Sequence, residues 1–142
     1  MTWSIIFHEK DSGRIAIAVA TKFFAVGARV PYIAPQKGAV ATQALVNPLY
    51  GIDGLQLIRD GVGAQDVVRI LTSRDEGQAH RQVHVLGADG RFAAHTGAAC
   101  VSWSFMATET ASGRNSTNVS GSVRMAASNG RVSSRPHEVF AT

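Results

Sequence analysis

The chain opens on strict alternation. Over residues 2–8, Trp3, Ile5 and Phe7 fall on one face and Thr2, Ser4, Ile6 and His8 on the other, which is the period of a β-strand. The turn-forming run KDSG follows at 10–13. The run RIAIAVAT then alternates again, with Ile15, Ile17 and Val19 opposite Ala16, Ala18 and Ala20. Two alternating runs about a short polar turn predict a hairpin. Trp3, Ile5 and Phe7 are expected to anchor its first strand. The alanine face of the second leaves room for a close neighbour, such as another sheet or a catalytic terminus.

Residues 22–38 are less regular, and Pro31 and Pro35 argue against a central strand there. Residues 39–46 read as a strand of small residues, and NPLYG at 47–51 as a turn. The period then changes. Leu55, Ile58 and Val62, followed by Val67, Val68, Ile70 and Leu71, recur at helical spacing and predict helices over 50–60 and 64–73, separated by DGVG. Residues 80–97 form a second hairpin pattern about Ala88, Asp89 and Gly90, with Gly90 free to take a positive φ. Residues 104–142 are rich in Ser, Gly, Asn, Arg and Thr; they predict a weak hairpin about Asn129 and Gly130, or a mobile segment. Strands, then helices, then strands point to an α+β layered fold instead of the β/α alternation of a Rossmann domain.

A length of 142 residues suits one domain. With 45% hydrophobic and 17% charged residues the chain reads as globular and soluble. No apolar run approaches the roughly 18 residues that suggest a membrane span. No basic-then-apolar leader precedes Thr2, and the single cysteine, Cys100, excludes an internal disulfide framework. These features predict a cytoplasmic protein without membrane association. The net charge of +4 would permit nucleic-acid binding, but the 14 Lys and Arg residues are scattered from Lys10 to Arg135 without arginine–aromatic interleaving. That pattern favours a solvated surface over a nucleic-acid partner.

The five histidines, His8, His80, His84, His95 and His137, form no HExxH motif, and there is no CxxC, so no metal site is expected. GIDG and GVG do not fit a phosphate-binding or dinucleotide fingerprint, so no cofactor is expected. Cys100 and His95 could form a thiol–base pair, although a lone cysteine is more often a small core residue. The N-terminus offers another chemistry. Methionine is commonly removed before a small residue, which would leave Thr2 with a free α-amine beside its own hydroxyl. An α-amine titrates near pH 8 and can act as the base for that hydroxyl. A lysine nearby would lower the amine's pKa by like-charge repulsion and stabilise the alkoxide. Lys22 is the candidate, because it ends the second strand where an antiparallel hairpin brings it back to the first. Against this, many chains begin Met-Thr for no catalytic reason.

The motifs quoted so far also occur together elsewhere. The segment AVATKFFAVG (18–27), GAVATQA (38–44), NPLYG (47–51), GLQLIRDG (54–61), RQV (81–83), GR (90–91), AHTG (94–97), Cys100 and Trp103 keep the order and spacing of the domain-of-unknown-function 1028 family. The chain resembles that family over residues 1–103. The family belongs to the N-terminal-nucleophile (Ntn) hydrolase superfamily. The resemblance implies an Ntn-hydrolase-like αββα sandwich of two antiparallel sheets between helix layers. It further implies that Thr2 stands at the nucleophile position, that Lys22 lies near the mouth of the cleft, and that the chemistry is amide hydrolysis through an acyl-enzyme. Ser4, His8, Gln43, Asn47, Arg81 and His95 could line the cleft and bind substrate. Each also has a structural reading: Asn47 as a turn former, Gln43 and His95 as partners for strand ends or helix caps.

Residues 104–142 depart from the family pattern, which marks them as a divergent, truncated or frame-shifted tail beside an Ntn-like portion at 1–103. The sandwich is therefore expected to be incomplete at its C-terminal end. A half-sandwich would expose the inner face of its first sheet and favour a homo-oligomer. The expected substrate is a small amide or peptide-like molecule. The rival reading is a non-catalytic binding or assembly module on the same fold, or an inactive truncated homologue.

Overall fold

The computed structural model describes residues 2–100 and the backbone of 105–110 and 121–127. Strands β1 (Thr2–Glu9) and β2 (Ile15–Thr21) are followed by a 3-10 turn at Val26–Ala28, then β3 (Pro31–Ala34) and β4 (Gly38–Ala44). Helices α1 (Pro48–Arg59) and α2 (Ala64–Ser73) come next, then a second 3-10 turn at Gln78–His80. Strands β5 (Arg81–Leu86), β6 (Phe92–Thr96), β7 (Phe105–Thr110) and β8 (Gly121–Ala127) complete the described elements. They build two antiparallel four-stranded sheets, ordered β2-β1-β8-β7 and β3-β4-β5-β6. The expected hairpin about Asn129 and Gly130 lies outside the described residues.

The expected strands and helices form, with three differences. NPLYG is not a free turn but the start of α1. Asn47 caps the helix, its Oδ1 accepting from the Leu49 amide at 3.1 Å, and Pro48 takes the first helical position. There a missing N–H costs nothing and a fixed φ helps. The second difference is β3. Pro31 opens this short strand, which lies at the edge of its sheet, where a missing donor is tolerated.

The third difference concerns which face of the first hairpin points inward. Opposed residues in an antiparallel pair share a face, and the register sets Ser4 against Val19, Ile6 against Ile17 and His8 against Ile15. Ser4 and Ile6 are fully buried, and Ile6 packs with Val30, Ala39, Ala41 and Leu86, flanked by Ile15, Ile17 and Val19. The face expected to be the anchor points the other way. Trp3 is 38% exposed, and Trp3, Ile5 and Phe7 sit opposite Ala20, Ala18 and Ala16 on the outer surface of the sheet. The alanines therefore do not line the sheet–sheet interface. Nor is the inner face of the first sheet left open, because β4 and β5 cover it.

The second sheet is buried on both sides. Its other face carries Val40, Val83, Val85 and Ala93 against Tyr50, Leu55 and Ile58 of α1 and Val67, Val68 and Leu71 of α2. Helix α1 approaches closely because Gly51 has no side chain: a Cβ there would stand 2.2 Å from the Tyr32 ring of β3. In the second hairpin Gly90 takes φ 76°, as its turn requires. Among the described residues the helices lie on one side only, and no helix is long and apolar enough to cross a membrane.

Candidate active site

β1 starts and β2 ends at the same edge of the molecule, with Thr2 paired to Thr21. The Thr2 hydroxyl donates to Thr21 Oγ1 at 3.0 Å, and Thr21 Oγ1 also accepts from the Phe23 amide at 3.2 Å. Lys22 follows directly. A cavity of about 490 Å³ opens there, lined by Thr2, Thr21, Lys22 and Arg29 on its polar side and by Phe23, Val26, Leu45 and Val46 on its apolar side. A larger cavity of about 680 Å³ lies at the hairpin end of β1 and β2, against Glu9 and Arg14. Those two are ion-paired, and Glu9 also accepts from Ser12.

Beneath Thr2 a chain of buried polar side chains crosses from one sheet to the other. Ser4 has one hydroxyl proton, and it goes to Gln43 Oε1 at 2.8 Å. His84 Nε2 is also 2.8 Å from Ser4 Oγ, so the imidazole donates and carries its proton on Nε2. Gln43 spends its own amide protons on the Thr2 carbonyl at 3.4 Å and on Gln82 Oε1 at 3.2 Å. Gln82 donates in turn to Thr96 Oγ1 at 3.2 Å. Ser4, Gln43, Gln82 and His84 are all fully buried. Burial without partners would cost each of them several kcal/mol (roughly 2–7 per group), so the network fixes how the sheets face each other and holds the Thr2 carbonyl from below.

A second cluster stands behind the cavity wall. Arg81 Nε is 2.8 Å from Asp75 Oδ2 with both side chains largely buried, and Arg81 Nη1 donates to the Leu45 carbonyl. Asp75 also accepts from Asn47 Nδ2 at 3.3 Å and from the Gly77 amide at 2.9 Å. The Arg81 guanidinium holds the Asp75 carboxyl well below the usual carboxylate range. Burial, and then the Asp75 carboxylate beside it, push the Tyr50 phenol up. This cluster joins the start of α1, the segment after α2 and the end of β4.

The candidate residues are thus placed in different surroundings. Thr2 and Lys22 line one cavity. Ser4 and Gln43 lie beneath it, too deeply buried to meet a ligand directly. Asn47 and Arg81 belong to the cluster behind the wall, and His95 turns away, its Nε2–H donating to the Gln78 carbonyl at 3.0 Å. His8 is half-buried beside Gly90, at the other end of β1. Cys100 Sγ faces the Arg81 carbonyl at 3.5 Å, and burial pushes its thiol up, which is opposite to what a nucleophilic thiolate needs. Among the described residues no group of His, Cys, Asp or Glu could hold a metal ion. Sequence reasoning overlooked Gln82, His84 and Arg29. For the first two a signal existed: both are polar residues at alternate positions among the apolar Val83, Val85 and Leu86.

The open cavity beside the strand-terminal hydroxyl of Thr2, underpinned by a buried polar network, has the concave form and few polar groups of a ligand pocket. The model of a family of unknown function, DUF1028, matches residues 2–125, and the chain belongs to that family. The crystal structure of protein SPO2555 from Silicibacter pomeroyi, described with the same family model, is similar at a TM-score of 0.72 and 31% identity. The match covers 87% of this chain and 51% of that one, so the chain spans about half the length of this relative. No curated protein matches the chain.

Proposed function

We propose that the protein is an Ntn-hydrolase-like amidohydrolase whose nucleophile is Thr2, released by removal of Met1. The observation that carries this reading is the position of Thr2: first residue of β1, on the wall of an open cavity shared with Lys22, with its carbonyl in reach of Gln43. While Met1 is attached, the nitrogen of Thr2 is an amide and cannot act as a base. Once it is a free amine, it takes the hydroxyl proton directly or through one water. The alkoxide attacks an amide carbonyl, with Lys22 supporting the charge. The C–N bond breaks as the Oγ1 ester forms, the leaving nitrogen takes the proton back, and water then splits the ester.

The arrangement of two face-to-face sheets with helices outside one of them supports an αββα plan in which a second helix layer belongs over Trp3, Ile5 and Phe7. The match leaves nearly half of the solved relative uncovered. Intact-mass measurement of the purified protein tests the first requirement: retention of Met1 ends the Thr2 mechanism. With Met1 gone, Thr2→Ala should reduce hydrolysis of small amides at least about a hundredfold, the scale of general-base assistance to a nucleophile. Equal rates for Thr2→Ala and wild type would favour a binding module on the same fold.

A further inference from the structure

The cavity beside Thr2 has a sign. Among the described residues Lys22 and Arg29 line it, and no acidic side chain does. Arg14, Arg69, Arg81 and Arg91 are each ion-paired with a carboxylate. Among the described residues Lys22 and Arg29 are not, a condition they share with Lys10, Lys37, Arg59 and Arg74. Arg29 instead lies over the Phe23 ring, 5.7 Å from its centroid. That stacking orients the guanidinium while leaving its edge free to donate. Beside the two cations the lining turns apolar, and Phe23 and Leu45 are 57% and 62% exposed there.

The walls are also held in place. Ala44 and Ala25 both adopt left-handed backbone, with φ 69° and 55°. Ala44 lines the cavity and Ala25 precedes Val26, which lines it too. Strain of this kind in non-glycine residues persists where the surroundings enforce it, and it concentrates at ligand sites. Arg81 Nη1 donates to the carbonyl of Leu45, the residue after Ala44.

We infer that this cavity takes the carboxylate and side chain of an N-acylated apolar α-amino acid. The carboxylate meets Arg29 and Lys22, the side chain lies among Phe23, Val26 and Leu45, and the N-acyl amide is presented to Thr2. That this amide is the bond cut rests on the Thr2 reading; the anion subsite stands apart from it. In the reaction the acyl group passes to Thr2 Oγ1, the free amino acid leaves with the proton, and water releases the acid.

The test separates the two. Binding of N-acetyl-L-phenylalanine and of its neutral carboxamide is measured by calorimetry on the Thr2→Ala protein, where nothing turns over. The acid should bind about tenfold more tightly, the worth of a charge-assisted pair. Arg29→Gln should erase that preference and Arg29→Lys should keep part of it. Arg29 is exposed, and an unchanged melting curve verifies that the variants fold. Equal affinity for acid and carboxamide, or a preference that survives Arg29→Gln, overturns the inference. Acetate release by the wild type, with Met1 gone, is then followed by NMR. A binding preference without acetate release leaves the subsite standing and removes the Thr2 reading. Equal cleavage of acid and carboxamide keeps Thr2 and overturns the substrate class.

Discussion

Strands β4 and β5 look onto two layers that differ in kind. Toward the helices they present Val40, Val83 and Val85, packed against Tyr50, Ile58, Val67 and Leu71. Toward the other sheet they present Ala39, Ala41 and Leu86, but also Gln43, Gln82 and His84, which reach Ser4 and the Thr2 carbonyl. Burial is as complete on one side as on the other. The helix side is held by apolar contact, which is strong and tolerant of small shifts. The sheet side is held by directional hydrogen bonds, which are weaker in net worth but fix the position of the Thr2 carbonyl. The difference shows where this fold places its stability and where it places its positioning.

The comparison breaks most visibly on the helix side. Ile58 is 1% exposed, and Ile58→Ala should cost about 2–5 kcal/mol in urea unfolding, from lost transfer energy and the cavity left behind. A loss no greater than that of a sheet-side polar variant would contradict the division of roles.

The Asp75–Arg81 pair sits between the two layers and should have an intermediate effect. Asp75→Asn should cost about 2 kcal/mol at pH 7, less than a fully buried pair because both side chains keep some exposure. The carboxyl is depressed in the folded protein, so its contribution is complete above the unfolded value near 4 and fades as pH falls below it. Wild-type stability should therefore begin to drop as the pH falls through about 4 and keep falling toward the depressed folded value, and the Asn variant should show a flatter profile. Parallel profiles for the two would remove Asp75 from the account.

The smallest effect is expected on the sheet side. Ser4→Ala leaves Gln43 Oε1 and His84 Nε2 without their shared partner, at a cost of about 1–2 kcal/mol. Adding Gln43→Leu should give less than the sum of the two single losses, because both variants break the same bonds. Strict additivity in chemical denaturation would show that Ser4 and Gln43 do not act together.

Much of the scaffold was legible from local pattern. Alternation marked β1, β2, β5 and β6, and the 3.6-residue period marked α1 and α2. The pairing of Thr2 with Thr21 follows from hairpin arithmetic, and it puts Lys22 beside Thr2. Alternation left open which face of β1 meets the other sheet. Trp3, Ile5 and Phe7 are the more apolar set, yet Ser4 and Ile6 are the buried pair. Apolarity alone chooses a face only when the opposite layer is apolar, and here that layer carries Gln43 and His84. Asn47 was visible as a turn former because the same side-chain geometry serves turns and helix caps. Its part in the Asp75 cluster depended on a residue 28 positions away.

Periodicity is a short-range property, set by backbone geometry and by which residues alternate. The amino-acid sequence by itself therefore determined the elements, the place of Thr2 and Lys22 at one end of a hairpin, and membership of the DUF1028 family. The site depends on contacts of another range. Ser4 meets Gln43 across 39 residues and His84 across 80. Arg81 reaches back 36 to the Leu45 carbonyl, and Arg29 comes to line the same cavity as Thr2. Only the tertiary structure decided these, because the energy of burying a serine, a glutamine or a histidine is set by the partner that the other sheet brings to it.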